Sequence, residues 1–464
     1  MARFFGTDGV RGVAGSELTR QMAEALGAEA VRVLGKSILI GRDTRASGPE
    51  LTAGLIDGVL AAGGQAVDAG VVPTPGIALL TRKLGADCGI VVSASHNPPE
   101  YNGIKFFDAQ GYKLSGGIEQ RFEAALAALA AEIGAEQSVG MGVGLAVARA
   151  AASNGERSAA DAATVMADAA ELYIQHTVLG MAEAGLDLSG LRVVVDCAHG
   201  AAYHTTPEAL RRLGVEVHAI NTDYDGKDIN VACGSTHLDV IRDWVLRTGA
   251  DAGFAHDGDA DRVLAVDAAG NEVDGDVIEA ICARDLKQRG LLKNNTVVST
   301  VMSNLGFIRA MEALDIDLEQ TDVGDSKVLA AMRAGDYVLG GEQSGHIIFK
   351  EYNTTGDGLV AMLMLLKTMA RSQTSLEELA KVMHKFPQIL INVKVADKEQ
   401  VAAAPELAAA ARDLRRKLSD QGRVLLRPSG TEPMLRVMVE AESAASAQEA
   451  AESLAAVIRS LDEG

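Results

Sequence analysis

Aromatic side chains are scarce: Phe, Tyr and Trp together make 4% of the 464 residues, and there is a single Trp. A core built on aromatic plates is excluded. The 48% of hydrophobic residues must pack largely as Ala, Val, Leu and Ile. Cysteine is equally sparse. Cys88, Cys197, Cys233 and Cys282 form no CxxC pair and no zinc-ligand spacing. They read as small buried thiols in a reducing compartment rather than as a disulfide scaffold. No apolar run approaches the ~18 residues a membrane span needs; "LVAMLMLL" (359–366) reads as a core helix segment. The opening "MARFFGTDGVRG" lacks an apolar signal region, so a cytoplasmic protein is expected. Positive charge is in deficit, with 43 Lys and Arg against 63 Asp and Glu and a net charge of −20. Such a chain repels nucleic acid and anionic membranes, and neither is expected as a partner. It also repels a phosphorylated substrate unless basic residues converge locally.

What is abundant is glycine, at 49 residues, which suits many tight turns between short elements. Strand-like and helix-like runs alternate. "SILIGRDTR" (37–45) precedes the helical "GPELTAGLIDGVLAAGG", then strand-like "QAVDAGVV", a helix, and strand-like "CGIVVSAS". The rhythm restarts at "LRVVVDCAHGAA" (191–202) and at "NTVVSTVMSN" (295–304). Three successive α/β units are expected. An Ala-rich stretch, 121–170, reads as a helix plus a flexible crossing. The last part, with "QILINVKVAD" and "RVLLRPSGTEPMLRVMVEAES", reads as an α+β module with a strand hairpin. The expected boundaries are 1–150, 151–252, 253–370 and 371–464, in keeping with the chain length.

Four stretches could carry chemistry. In "AHDGDADRVLAVD" (255–267), Asp257, Asp259 and Asp261 recur every second residue. In extended or looping chain they share one side. Three converging carboxylates suit a hard cation such as Mg²⁺; taken alone, the spacing equally suits a solvated acidic turn. "RPSGTEP" (427–433) sets Arg427 beside a Ser429–Gly430–Thr431 turn, which fits either a phosphate cradle or a plain β-turn. "GGEQSGH" (340–346) clusters Glu342 and Ser344, able to bond sugar hydroxyls. In "VVSASHNPPEYNGIKFF" (91–107), Ser95 stands where a strand meets a Pro-rich turn. Its neighbour His96 points away in an extended chain, and no GxSxG elbow exists. A metal-assisted serine therefore fits better than an acyl-transfer triad.

Together, "SASHNP" (93–98), "DGDADR" (257–262), "GEQSGH" (341–346) and "RPSGTEP" (427–433) resemble, in order, the four signature loops of the α-D-phosphohexomutase superfamily. Within it, "FFGTDGVRG", "VVDCAHGAAYH" (194–204), "CGSTH" (233–237) and Gln343 are similar to the branch acting on glucosamine phosphates. The resemblance implies an α/β protein: three α/β domains with mixed sheets plus a C-terminal α+β domain, arranged around a central cleft. It implies that Ser95 carries a phosphoryl group. It implies one Mg²⁺ held by Asp257, Asp259, Asp261 and an oxygen on Ser95. The implied reaction interconverts glucosamine 6-phosphate and glucosamine 1-phosphate through glucosamine 1,6-bisphosphate, which feeds UDP-N-acetylglucosamine and cell-wall precursors. His96, Lys105 and Arg11 are placed at the catalytic centre, with Arg262 as a nearby cation. Glu342, Ser344, Arg427, Ser429, Gly430, Thr431 and Arg436 are placed on the substrate. A monomer or homodimer binding a phosphorylated hexosamine is expected. Glucose or mannose phosphates, or a phosphosugar-binding regulator without turnover, are the alternative readings. His256, in place of an apolar residue, and "VGDSKV" (323–328) depart from the branch.

Overall fold

A computed structural model describes residues 5–6, 9–114, 117–138, 163–429 and 432–463. Much of the expected flexible crossing, residues 139–162, and Gly430 and Thr431 of the "RPSGTEP" stretch lie outside the described residues. The chain divides into two compact units. One comprises Met1–Val301 and Glu319–Ala380; the other comprises Met302–Leu318 and Lys381–Gly464.

The first unit holds three mixed sheets with helices between their strands. In the first, the strands run in the spatial order 5–6, 9–13, 101–108, 88–92, 37–42, 65–71 and 164–165. Ser37–Arg42 pairs in parallel with both Gln65–Val71 and Cys88–Val92. Cys88–Val92 then pairs antiparallel with Tyr101–Asp108. All five residues of Cys88–Val92 are buried, as expected for an apolar run without alternation inside a covered sheet. The second sheet has the order 272–273, 263–267, 252–256, 192–196, 216–220, and the third 317–321, 296–300, 339–341, 347–349. Polar caps set several helix starts. Thr19 accepts from the Met22 N–H, Asp274 from Val277 and Asp357 from Val360.

Ala252–His256 pairs in parallel with Arg192–Asp196 and antiparallel with Val263–Asp267. The Asp loop between these last two strands therefore grows out of the second sheet. A boundary at 252/253 assigns it instead to the third unit, because backbone pairing across sixty residues leaves no mark in local sequence.

Scarce aromatics and abundant glycine have a visible result. Helices Arg20–Val33 and Gly48–Ala61 meet backbone to backbone. A Cβ on Gly58 would stand 1.9 Å from the Glu24 carbonyl oxygen, and one on Gly27 would stand 2.2 Å from that of Leu55. Absent side chains let the helix axes approach. Leu26, Ala30, Leu51 and Leu55 then join the strand residues Ile38, Ile40, Ile90 and Val92 in one core.

The second unit contains an antiparallel sheet in the order 388–394, 434–441, 422–428. Leu407 and Ala411 of helix Pro405–Leu418, and Ala451, Leu454 and Ile458 of helix Ala444–Glu463, share a core with Val393, Val437 and Val439. The segment Met302–Leu318 is bound into this unit by a polar knot. Asn304 donates to the Phe386 carbonyl at 2.9 Å and to Glu440 Oε1 at 3.1 Å. The Leu305 N–H and Arg423 Nε both donate to Glu440 Oε2, at 3.1 and 2.9 Å. Glu440 is fully buried, so these donors stand in for water.

Fully buried Glu279, on helix Gly275–Gln288, has both carboxyl oxygens without a hydrogen bond among the described residues. Burial, then the charges of Asp276 and Glu342, push its carboxyl well above the ordinary 4.5. The folded chain thus keeps a proton that the unfolded chain releases above that value, and stability falls as pH rises. Glu279→Gln is expected to flatten this alkaline slope in melting temperatures measured across pH; an unchanged slope would refute the assignment. Gly58→Ala is expected to cost about 1–3 kcal/mol by overpacking, read from urea unfolding.

Candidate active site

At the end of strand Cys88–Val92 the chain leaves the sheet, and Ser95 adopts φ +54°. This left-handed conformation costs a non-glycine residue about 1 kcal/mol. It departs from the extended chain expected there, and it turns His96 back, so that Nδ1 lies 3.3 Å from Ser95 Oγ. Side chains from elsewhere hold the turn. Arg45, 1% exposed, donates through Nη2 to the carbonyls of Ser95 (3.0 Å) and Asn97 (2.7 Å). Its Nη1 reaches the carbonyls of Pro98 and Tyr101, and its Nε reaches Asp43. Asn230 Nδ2 bonds the Ser95 and Asn97 carbonyls too, at 2.9 and 3.1 Å. The Ser95 N–H donates to Ser93 Oγ at 2.9 Å. Neither Arg45 nor Asn230 is recognisable from sequence, because main-chain acceptors have no motif.

Ser95 Oγ donates to Asp257 Oδ2 at 2.6 Å, across 162 positions of chain. Asp257, Asp259 and Asp261 are all buried, and a carboxylate oxygen from each lies within 4.8 Å of the others. The alternative of a solvated acidic turn is excluded by this burial. Ala260, at φ +58°, lets the loop fold tightly enough for the three to converge. Lys105, from strand Tyr101–Asp108, is 1% exposed and donates to Asp259 Oδ2 at 2.7 Å and Asp261 Oδ2 at 3.5 Å. The Thr74 hydroxyl donates to the same Asp259 oxygen at 2.5 Å. Burial, then the charges of Asp261 and Asp259, push the Asp257 carboxyl well above the ordinary range. For Asp261, burial is outweighed by Lys105 and His346, which hold it well below.

The chain's own cations do not complete the set. Asp259 Oδ1 and Asp261 Oδ1 are buried without a hydrogen-bond partner among the described residues. Such oxygen-only donors fit a hard dication of the Mg²⁺ kind.

The imidazoles divide by their surroundings. Arg262 Nη1 donates to His96 Nδ1 at 3.2 Å. Burial, then Arg262 and Arg11, push His96 down to about 4. It is therefore neutral near pH 7, with Nδ1 already an acceptor. His256 is fully buried at the root of the Asp loop, where Nδ1–H donates to the Arg262 carbonyl and Nε2 accepts from Thr206, each at 3.1 Å. Burial pushes it down to about 4. This ring spans the loop from residue 256 to 262, a structural use for the residue that departs from the branch. Arg11 pairs opposite Gly103 on the neighbouring strand and contributes its charge at His96.

The "GEQSGH" residues follow strand Leu339–Gly341 in the same unit. Glu342 Oε1 accepts from the Gly324 N–H at 3.2 Å. Gly275 packs so closely that a Cβ there would lie 2.2 Å from the Glu342 carbonyl oxygen. Ser344 Oγ is buried without a hydrogen-bond partner among the described residues, and Gln343 Nε2 donates to Asp274 at 3.3 Å. His346 accepts the Gly356 N–H on Nε2 at 3.0 Å and turns Nδ1 to Asp261 at 3.6 Å. Its Nε2 lies 3.7 Å from Asp325 of the "VGDSKV" stretch, and Lys113 pairs with that carboxylate. Ser95, His96, Lys105, Arg262 and the three aspartates thus form one cluster, joined to the "GEQSGH" stretch through His346.

In the second unit, Arg427 and Arg436 stand directly opposite on adjacent strands. Like charges so placed are unfavourable without an anion or carboxylate between them; Glu432 lies 3.6 Å from Arg436. Ser429 is 2% exposed, and Lys398 donates to its carbonyl. Lys398, thirty residues upstream, is absent from the sequence expectations because nothing in "ADKEQ" announces it.

This geometry supplies a serine hydroxyl poised on a buried carboxylate cluster with cations around it, an arrangement that serves phosphoryl transfer. Comparison with known proteins agrees. Models of the phosphoglucomutase/phosphomannomutase α/β/α domains I, II and III match residues 2–132, 171–270 and 274–386, and that of the C-terminal domain matches 390–457. A phosphoglucosamine mutase from Desulforamulus reducens is 47% identical over 463 residues, covering 99% of each chain. One from Nocardia farcinica is 48% identical over 466 residues, covering 99% of this chain and 100% of the relative. The crystal structure of a phosphoglucomutase/phosphomannomutase family protein from Burkholderia thailandensis is similar, with TM-score 0.76, 25% identity and coverage of 99% and 98%. By its sequence over nearly its whole length and by its fold, this chain belongs to the phosphoglucomutase/phosphomannomutase family of α-D-phosphohexomutases.

Proposed function

We propose that this chain interconverts glucosamine 6-phosphate and glucosamine 1-phosphate, the phosphoglucosamine mutase reaction, with Ser95 as phosphoryl carrier and glucosamine 1,6-bisphosphate as intermediate. The observation that carries the reading is the 2.6 Å hydrogen bond from Ser95 Oγ to Asp257, inside the buried cluster of three aspartates. The full-length relatives of the same name supply the substrate.

Phosphoserine at residue 95 gives its phosphoryl group to the free hydroxyl of the sugar phosphate: the Oγ–P bond breaks as the sugar O–P bond forms, and the hydroxyl's proton ends on the released Ser95 Oγ. The bisphosphate turns end for end, and Ser95 Oγ takes the other phosphoryl back. Asp257, Asp259 and Asp261 would hold Mg²⁺, which neutralises charge on the transferring group when bound. Lys105 keeps Asp259 and Asp261 oriented. Arg262 and Arg11 put positive charge beside His96 and the serine loop, as a chain of net charge −20 requires for a phosphorylated ligand. A neutral His96 with Nδ1 engaged by Arg262 is a poor proton acceptor for Ser95, which agrees with the absence of a triad. Glu342 and Ser344 bind sugar hydroxyls; the unpartnered Ser344 Oγ supports this. Arg427, Ser429 and Arg436, with Gly430 and Thr431, hold the phosphate that is not transferred. Four buried free cysteines suit a reducing compartment, so we place the enzyme in the cytoplasm, supplying UDP-N-acetylglucosamine synthesis.

Intact-mass analysis of purified protein is expected to show a fraction heavier by one phosphoryl group, and Ser95→Ala is expected to lose both that fraction and turnover. Full activity in Ser95→Ala would end the reading. Asp257→Asn is expected to lower kcat by about a hundredfold or more, since metal stabilisation of transition-state charge is worth several kcal/mol, and to weaken Mn²⁺ binding seen by paramagnetic resonance. Retained Mn²⁺ affinity would remove Asp257 from the metal set. Equal kcat/KM for glucosamine, glucose and mannose phosphates would overturn the substrate assignment.

A further inference from the structure

The carbonyl of Ser95 is held from outside its own loop, by Arg45 and Asn230. We propose that Arg45 is a positioning residue for phosphoryl transfer: through four main-chain carbonyls it holds Ser95 in the left-handed conformer that aims Oγ at Asp257, and Asn230 is a second hold on two of those carbonyls. The inference rests on the phosphoserine reading of Ser95 and adds to it a residue that no motif of the family resemblance includes.

A guanidinium has five N–H donors in a rigid plane. In Arg45 these reach Asp43 through Nε, Pro98 and Tyr101 through Nη1, and Ser95 and Asn97 through Nη2. Every carbonyl bound belongs to the serine loop or its exit. The partner Asp43 is tied to the strand that leads into this loop, its N–H donating to the Val92 carbonyl at 3.1 Å, and within the loop Ser93 Oγ accepts the Ser95 N–H. The peptide plane after the Ser95 Cα is thus held by Arg45 and Asn230, and the plane before it by Ser93 Oγ. Fixing both planes fixes φ and ψ, and with them the direction of the Cα–Cβ bond. The φ of +54° is then imposed by the clamp rather than chosen by the serine. Asn230 repeats the hold on the Ser95 and Asn97 carbonyls from the segment that follows the second sheet's edge strand. Neither side chain touches Ser95 Oγ in the described contacts, so the action is through geometry. A lysine could supply the charge but not the planar fork.

The test uses full-length Arg45→Lys, Asn230→Ala and the double variant, with Ser95→Ala as control. For each, melting temperature, phosphorylated fraction, kcat and KM are measured, together with single-turnover transfer from pre-phosphorylated enzyme. Arg45→Lys is expected to lower kcat and the single-turnover rate by about tenfold to a hundredfold, the scale of a misplaced reacting group, with KM within about threefold. Asn230→Ala should act in the same direction with a smaller loss. The double variant should lose less than the product of the two, because they share acceptors. A folded Arg45→Lys with unchanged kcat overturns the proposal. So does a loss that disappears when rates are expressed per folded molecule. If Arg45→Lys does not fold, Asn230→Ala decides: an unchanged single-turnover rate overturns the clamp. Turnover in Ser95→Ala instead removes the phosphoserine reading beneath it.

Discussion

Three carboxylates held out of water within 4.8 Å of one another repel, and much of the first unit's polar structure answers that repulsion. At an effective dielectric constant of 20, each pair costs roughly 3 kcal/mol at such a distance. Lys105 arrives from the first sheet, Thr74 from helix Thr74–Leu84 between two strands of that sheet and His346 from the third sheet, while the aspartates belong to the second. No single element could gather this set. The fold is therefore organised so that three sheets each contribute to one small volume, and the serine loop is added to it through Ser95 and Asp257. The compensation is partial, since two aspartate oxygens keep no hydrogen-bond partner among the described residues. A site balanced in this way is prepared for a cation without being satisfied by its own side chains.

The chemistry-bearing residues were legible because their spacing is local: alternate aspartates, a serine at a strand end, a Ser-Gly-Thr turn beside arginine. The α/β rhythm was legible for the same reason, since apolar runs and glycine breaks are short-range signals. Where expectation and structure part, the cause is long-range. His96 turns back because Ser95 is left-handed, and it is left-handed because residues 50 and 135 positions away bind its carbonyl. The Asp loop belongs to the second sheet because Ala252–His256 pairs with Arg192–Asp196. His256 reads in sequence as a substitution in an apolar position; in three dimensions it is a bridge between Thr206 and the end of the Asp loop.

Charge follows the same division between global and local. The net −20 is a sum over the whole chain, whereas Lys105, Arg262 and Arg11 act within a few side chains of Ser95. A strongly acidic protein can therefore present a cationic pocket, provided its arginines and lysines are placed by strands rather than by sequence runs. Here each of the three comes from a different stretch of chain.

The C-terminal unit is not a contiguous piece of chain. Its sheet comes from residues after 380, yet it includes Met302–Leu318, whose Asn304 and Leu305 satisfy Glu440. A chain cut at residue 380 would release a fragment carrying a buried carboxylate stripped of two of its donors, and would leave the helix Leu305–Ala313 behind without its sheet. Boundaries that look natural along the sequence are thus not places where this protein comes apart. Recombination or truncation of the last module has to carry the earlier segment with it, so the module is inherited as two pieces or not at all.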